Sequence, residues 1–454
     1  MKTKNTLITA LALFLLSGSV LAAVSPEEAA KLGDSLTPLG AEKAGNADGS
    51  IPAWTGGIAK SAAKVDQHGY LGDPFANEQP QFVITAQNVE QHRDKLSEGQ
   101  LALFKRYPES YKMPVYASRR TMSAPEPIYA AAKNSAQATS LVEGGNGLKG
   151  FKDSRYYAFP IPLNGLEVVW NHVTRYRGGN RKGVSVLAAP LANGAFTPVR
   201  VESQVAMPPV IAGLTPEKAE NVLLFYKERT LSPARLAGNV LLVHDSLDQL
   251  KEPRMAWVYN AGQRRVRRAP QVAYDGPSGI DGLRTSDNVD MFNGAPDRYD
   301  WKLVGKRELY IPYNNYRLHS PELKYEDILK AGHPNQELAR YELHRVWEVE
   351  ATLKSGERHI YAKRRFFIDE DSWYIAVSEH YDGRGQLWRV GEAMLMHNYA
   401  AQSMEAAYQG LSDLISGRYL VSGLINEEKK YVEYGISAAM AEYTPAALRS
   451  AGVR

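Results

Sequence analysis

Two alternating runs, at 341–353 and 359–368, restrict what this chain can become more than any other feature. In "YELHRVWEVEATL" and "HIYAKRRFFI" apolar and polar residues alternate with the period of two that sends successive side chains to opposite faces of a strand. With Ser355-Gly356 as a two-residue turn the runs align as a hairpin. Ala351 then faces Ile360, Val349 faces Ala362, Trp347 faces Arg364, Arg345 faces Phe366 and Leu343 faces Ile368. The opposite face sets Glu348 against Lys363 and Glu350 against Tyr361. Such a hairpin commits the chain to an antiparallel sheet with one buried face. Two arginines stand on that apolar face, each opposite an aromatic ring. Either Arg345 and Arg364 pack as cations on rings at the mouth of the sheet, or they reach an anionic head group whose apolar tail lies on the same face.

The texture of 155–390 agrees with a sheet. Strand-type segments recur at 167–176, 184–189, 197–205, 238–244, 255–259, 302–311, 341–353, 359–368, 373–380 and 386–390, and six of the 7 Trp fall here. Met255, Trp257 and Tyr259 share one phase of their strand. Helices are expected at 86–106, around 126–139, at 216–227 with Thr215 as N-cap and Pro216 first in the helix, and at 392–415 before Gly417. Residues 23–80 are rich in Gly, Pro and Ala, yet Ile51, Trp54, Ile58 and Phe75 need burial, so this segment is ordered but irregular. Glycines in "EGGNGLKG" (143–150) mark a boundary. The expected class is α+β, one large antiparallel sheet with helices on one side. Its parts are an N-terminal irregular and helical extension at 23–150, the sheet at 151–390, and a C-terminal helix and tail packed on the sheet at 391–454.

Composition narrows the class. With 44% hydrophobic and 23% charged residues, the chain is neither disordered, collagenous nor multi-span. The 26 Tyr against 11 Phe suit strands, half-wet cavities and interfaces. Met1 to Ala22 reads as a secretion signal: Lys2 and Lys4, an apolar run from Leu7 to Leu16 too short to span a bilayer, and Val20-Leu21-Ala22 before a cleavage at Ala23. Beyond it the chain carries 52 basic and 50 acidic residues, with no footprint for nucleic acid. Zero cysteines exclude a lipid-bearing Cys, disulfides, thiolate chemistry and Cys-bound metal. From about residue 402 no apolar run reaches ~18 residues, so no second anchor is expected. Soluble periplasm is the expected location.

Catalytic signatures are missing: there is no GxSxG, HExxH, GxxxxGK[ST], or GxGxxG between strand and helix. No catalytic residue, cofactor or metal is expected. "IDEDSW" places Asp369, Glu370 and Asp371 between strands, as a solvated turn or a calcium site. His359 and His380 lie in neighbouring strands and could meet, without a carboxylate at a fixed offset. "RRVRRAP" (264–270) brings Arg264, Arg265, Arg267 and Arg268 together. It is either a solvated hairpin arm or a contact for an anionic membrane or partner.

The stretch 222–390 resembles the outer-membrane lipoprotein-sorting (LolA/LolB-like) superfamily. "LSPARLAGNVLLVHD", "AWVYNAGQRRVRRAP", "DMFNGAPDRYDWKLVGKRELYIP" and "YDGRGQLWRV" match its recurring pieces in order. The whole mature chain more closely resembles a large proteobacterial family of uncharacterised secreted proteins, through "GAEKAGNADGSIPAWTGG", "DPFANEQP", "WNHVTRYRG", "YNNYRL" and "RYELHRVWEVEATLKSGERHIYAKRRFFIDEDSW". The resemblance implies a strongly curved, half-open antiparallel barrel with helices over its concave face, binding a lipid or other hydrophobic compound. It also implies work beside an RND-type inner-membrane exporter and an outer-membrane β-barrel protein, with a peripheral position at the outer membrane. The alternative is a non-carrying assembly or scaffold factor of the same envelope complex. A cavity lining of Met255, Trp257, Tyr259, Leu343, Arg345, Trp347, Val349, Arg364, Phe366 and Ile368 is expected. Residues 23–150 have no counterpart in the small carriers and would cap or fill the cavity.

Overall fold

Strand-forming residues dominate the chain from Arg181 to Leu424. In the computed structural model, which describes residues 24–151, 155–208, 210–269, 272, 274–280 and 282–452, they form thirteen strands of one sheet. These are β1 (Arg181–Ala188), β2 (Val199–Ala206), β3 (Val222–Ser232), β4 (Val240–Ser246), β5 (Met255–Asn260), β6 (Arg265–Ala269) and β7 (Tyr299–Pro312). The rest are β8 (Tyr341–Leu353), β9 (Lys363–Asp369), β10 (Ile375–Tyr381), β11 (Leu387–Asn398), β12 (Ser403–Asp413) and β13 (Tyr419–Leu424). The expected leader, 1–22, lies outside the described residues.

The strands pair antiparallel from β7 through β13, then from β1 through β6. The junction is β13 against β1, with Val421 opposite Ala188. The two free edges are therefore β6 and β7, which are consecutive in the chain and share no ladder among the described residues. Accumulated twist curls such a sheet toward a barrel, but this one stays open and the connection from β6 to β7 crosses the gap. The fold is thus α+β, a large, curved, unclosed antiparallel sheet with few helices. Short strands Phe82–Ile84 and Met113–Tyr116 extend it beside the start of β8.

The β8–β9 hairpin forms, but four residues out of the expected register. Val349 pairs with Phe366, Ala351 with Arg364 and Trp347 with Ile368. Because the slip is even, each residue keeps its face. Its cause is local: Ser355-Gly356 does turn, but 357–362 leaves the ladder so that Tyr361 can be buried and its hydroxyl can accept from Arg389 Nη1 at 2.8 Å.

Three helix and strand expectations fail for physical reasons. The segment at 167–176 is not a strand but belongs to helix Gly165–Thr174. Asn164 caps it, accepting from the Glu167 amide at 3.0 Å while the Glu167 carboxylate accepts from the Leu163 amide at 2.6 Å. All residues from Glu167 to Thr174 are buried, including the polar stripe Glu167, Asn171 and Thr174, whose side chains bond within the fold rather than to solvent. Gly165 is required there, since a Cβ would lie 2.8 Å from the Leu303 backbone. The helix expected at 216–227 stops at Ala219 and gives way to β3. The helix expected at 392–415 is instead the strand pair β11–β12, whose Ala-, Met- and Leu-rich sequence favours helix until ladder pairing and two-sided burial override propensity. The expected boundary at 390/391 therefore falls inside β11, and only the tail, ending in helix Ala447–Gly452, packs on the sheet.

Layers follow from the alternation. On the inner side, Val168, Val169 and Trp170 of the 165–174 helix join Val349, Phe366 and Ile368. On the outer side, Leu103 and Phe104 of helix Glu98–Arg106 cover Val186, Val390 and Met394. Farther along, Tyr443 and Leu448 of the tail cover Phe225, Leu242 and Tyr259. The N-terminal extension thus serves both sides: Leu39 and Met122 join the inner core, and Ile51, Leu71 and Val115 the outer one.

Candidate functional site

Helix 165–174 fills the inner side beside β7 and β8 and reaches the start of β10 through His172; beyond its end, small residues keep the inner wall recessed. Gly183 and Ser185 on β1 and Ser203 on β2 leave space that Leu187, Val201, Leu224, Leu241 and Val243 wall with apolar surface. The result is a partly open cavity of about 390 Å³. That is at the lower end of the ~300–1,000 Å³ range of small-molecule pockets. The connection between β6 and β7 supplies its far wall through Arg284, Ser286, Val289, Asp290 and Asn293.

Charge collects where the helix ends. Arg175 and Arg177 donate to the helix carbonyls of His172 and Val173 at 2.7 and 2.9 Å, placing cations at the negative end of the helix dipole. Both reach Asp290, at 2.6 and 2.5 Å, and Tyr374 and Gln409 donate to the same carboxylate. Burial pushes the Asp290 carboxyl up, but the two guanidinium groups outweigh it and hold it well below the usual range. Burial, then the adjacent Arg175, lowers Arg177 to about 10. Asp290 and Met291 both have positive φ, 56° and 68°, a strained pair of non-glycine residues pinned by these contacts. Across the cavity Arg254 grips Asp245 with both nitrogens at 3.0 and 2.8 Å. Tyr226 donates to Glu228, whose carboxyl is raised by burial. The cavity therefore offers apolar walls with a polar, charge-dense end.

None of the ten expected lining residues bounds this cavity. Val349, Phe366 and Ile368 are in the inner core and Leu343 in the outer one. Met255, Trp257 and Tyr259 point to the outer side; Trp257 packs on His244 at 4.8 Å and Tyr259 lies under the tail. Trp347 stacks on Trp373 at 6.0 Å. Arg345 is bound to Glu370 at 2.8 Å, and Arg364, wholly buried, to Asp287 at 2.6 Å, with the rings of Tyr361, Tyr299 and Phe292 around it. Neither arginine is free for a head group. Arg264, Arg265, Arg267 and Arg268 are all exposed on the free edge strand β6 and the turn before it.

"IDEDSW" is no solvated turn. Asp369, Glu370 and Asp371 are buried among Arg120, Arg345 and Lys306, with Arg120 holding both Asp371 oxygens at 2.9 and 2.7 Å. Ligand atoms of His344, Asp369 and Asp371 lie within 4.8 Å of one another, the one grouping with metal-ligand potential among the described residues. Arg120, Arg345 and Lys306 pair with Glu370 and Asp371, whereas Asp369 accepts from Ser372 and lies 3.9 Å from His344, and burial with the neighbouring Asp371 raises its carboxyl to about 6. His359 and His380 do not meet, since the Tyr361 ring packs against both at 5.4 and 4.6 Å. Among the described residues no helix is long and apolar enough to cross a membrane.

Sequence reading missed the cavity because Arg175 was assigned to a strand at 167–176 and Arg177, Arg284 and Asp290 were given no role. The usable signal was "WNHVTRYRG", where two arginines follow an apolar run at the spacing of a helix C-terminus.

Residues 83–449 match the family described as "Protein of unknown function (DUF1329)". An uncharacterized protein of Pseudomonas aeruginosa is 60% identical over 457 residues, covering 100% of each chain. A solved DUF1329 family protein from Desulfovibrio piger is similar at a TM-score of 0.42 and 13% identity, over 59% of this chain and 91% of that one. A LolA superfamily protein from Nitrosomonas europaea gives a TM-score of 0.38 and 11% identity, over 62% and 98%.

Proposed function

This chain belongs to the DUF1329 family, and we propose that it is a periplasmic binding or carrier protein for a lipid or other hydrophobic compound, without chemistry of its own. The observation that carries the reading is the cavity of about 390 Å³ inside the open sheet, apolar along its strands and charged at one end. An acyl chain entering it gains ~0.8 kcal/mol per buried CH₂. Ten methylenes would then contribute about 8 kcal/mol, near micromolar affinity before the cost of association is met. A water-filled compartment otherwise blocks such a molecule, and carriage needs no reaction.

The edge arginines Arg264, Arg265, Arg267 and Arg268 are proposed to meet an anionic membrane or partner surface. Arg265 and Arg267 pair opposite Asn260 and Val258, in the strand phase whose neighbours Leu241 and Val243 wall the cavity. Docking there would face the cavity side toward the surface. An RND-type exporter and an outer-membrane protein as partners rest on the family resemblance. The scaffold reading draws support from the part of the inner face that the 165–174 helix fills, but the large apolar residues that stand exposed include no aromatic ring among the described residues.

The test is uptake of a fluorescent fatty-acid probe by delipidated protein, with competition by unlabelled fatty acid. Saturable uptake at one site supports carriage; no uptake at any probe concentration rejects it in favour of the scaffold.

A further inference from the structure

Most arginines near the inner face are bound to a carboxylate, but two on the cavity wall, Arg181 and Arg284, are not, among the described residues. Arg175 and Arg177 share Asp290, Arg254 has Asp245, and Arg364 has Asp287. Arg284 has none within 4.0 Å among the described residues. Its one hydrogen bond goes from Nη1 to Ser422 Oγ at 3.3 Å, and its buried Nε has no partner. We infer that the molecule this cavity takes carries an oxyanion, a carboxylate or phosphate, seated against Arg284, so that the cargo is an anionic amphiphile rather than a neutral lipid. This rests on the carrier reading of the cavity.

Three features give Arg284 that role. First, no nearby acid among the described residues forms an ion pair with it: Asp290 takes four donors, Glu405 accepts from Tyr431, Tyr434 and Asn398, and Glu228, the acid that acts on Arg284 most, accepts from Tyr226 instead and is raised by burial. Arg181, also on the cavity wall, donates only to the Arg177 carbonyl at 3.3 Å, so a second cation stands without a carboxylate. A site with five arginines and four partly neutralised acids has a deficit of negative charge that a ligand can supply.

Second, Arg284 is held in place rather than waving from a loop. It pairs with Ser278 in a short ladder, and the next residues are tied down by Ser286 N–H to Gly276 O at 2.7 Å and Thr285 Oγ1 to Asp287 at 2.6 Å. Asp287 in turn is locked to the buried Arg364, so the guanidinium stands on a fixed base. Third, the cost is visible. Arg284 is half-buried with its Nε enclosed; desolvation lowers its pKa against the opposing pull of Glu228, and a desolvated charge without an ion pair is costly unless something compensates it. A planar fork facing a cavity is suited to two oxygens of an oxyanion.

The experiment is calorimetric titration of delipidated protein with four twelve-carbon molecules: dodecanoate, dodecyl phosphate, dodecanol and dodecylamine. Parent protein should bind the two anions about ten- to a hundredfold more tightly than dodecanol, the range of a charge-assisted hydrogen bond, and dodecylamine least. Arg284→Gln should bring the anions to the level of dodecanol and leave dodecanol unchanged, while Arg284→Lys keeps part of the preference. Changing all four edge arginines to Gln should leave the preference intact, since it arises inside the cavity. Dodecanol binding as tightly as dodecanoate, or an anion preference that survives Arg284→Gln, overturns the inference while carriage stands. Parent protein that binds none of the four removes carriage itself, and the inference with it. Should Arg284→Gln not fold, the parent's ranking and Arg284→Lys still decide.

Discussion

Replacing Arg364 with Gln separates the packed core from the cavity. Its guanidinium is 0% exposed and donates to Asp287 at 2.6 Å. Without it, Asp287 keeps His359 at 3.0 Å and Thr285 at 2.6 Å but no permanent cation. Breaking a buried pair from one side costs about 3–5 kcal/mol. At ~2.1 cal/mol/K per residue, a chain of this length unfolds with an entropy near 0.9 kcal/mol/K, so the melting temperature should fall by about 3–6 °C. Replacing both Arg364 and Asp287 with Leu should recover most of that loss, because an apolar pair of similar volume is often neutral. The pH dependence has a definite sign. Burial raises the Asp287 carboxyl, but Arg364 and His359 outweigh it and hold it far below its ordinary value. The parent's gain is therefore present above the usual carboxylate range and is lost only as pH falls through the depressed folded value. In Arg364→Gln that protection is gone, so the deficit should be full at neutral pH and shrink below about pH 4. Thermal melting and urea unfolding measure both. A variant melting within about 1 °C of the parent, with weakened binding of anionic probes, would refute the reasoning and put Arg364 on the ligand.

Three further outcomes are expected. Leu241→Trp should fill the cavity and abolish fatty-acid probe binding with little change in melting, whereas Val349→Trp, at a site 0% exposed, should overpack the core by about 1–3 kcal/mol; probe titration and melting on both variants check this. Changing Arg264, Arg265, Arg267 and Arg268 to Gln should weaken binding to anionic liposomes by several kcal/mol at low salt, at ~1 kcal/mol per residue, with a difference that closes as salt rises and no change in folding. Burial raises Glu392 to about 7, so the fold binds a proton that the unfolded chain has released, and stability falls as pH rises from about 4.5 to 7; Glu392→Gln should stabilise at pH 8 and be neutral near pH 4, read by melting at both.

What the sequence revealed follows from what periodicity can report. The alternation in β8 and β9 gave the antiparallel sheet and put Val349, Phe366 and Ile368 on one face, because a slip of four residues preserves parity, but Leu343 of the same phase joins the outer core. It could not give the register, since only the burial of Tyr361 decides where the second strand begins. The 165–174 helix was hidden by being buried on every side, and β11–β12 by helix-favouring residues that tertiary pairing overrode. Alternation also says that one face is covered without saying by what. Trp257 and Tyr259 were assigned to a cavity but lie under the C-terminal tail, and Arg364, read either as packing on rings or as reaching a head group, sits among rings with a counter-ion, Asp287, 77 positions away. The cavity itself is made by where a helix stops, and no local pattern records that.

The most direct test of carriage is native mass spectrometry of the exported protein, purified without detergent. One hydrophobic molecule per chain, absent from Leu241→Trp, is the predicted result. Bare polypeptide mass from the parent, unchanged after incubation with long-chain fatty acid, would contradict it.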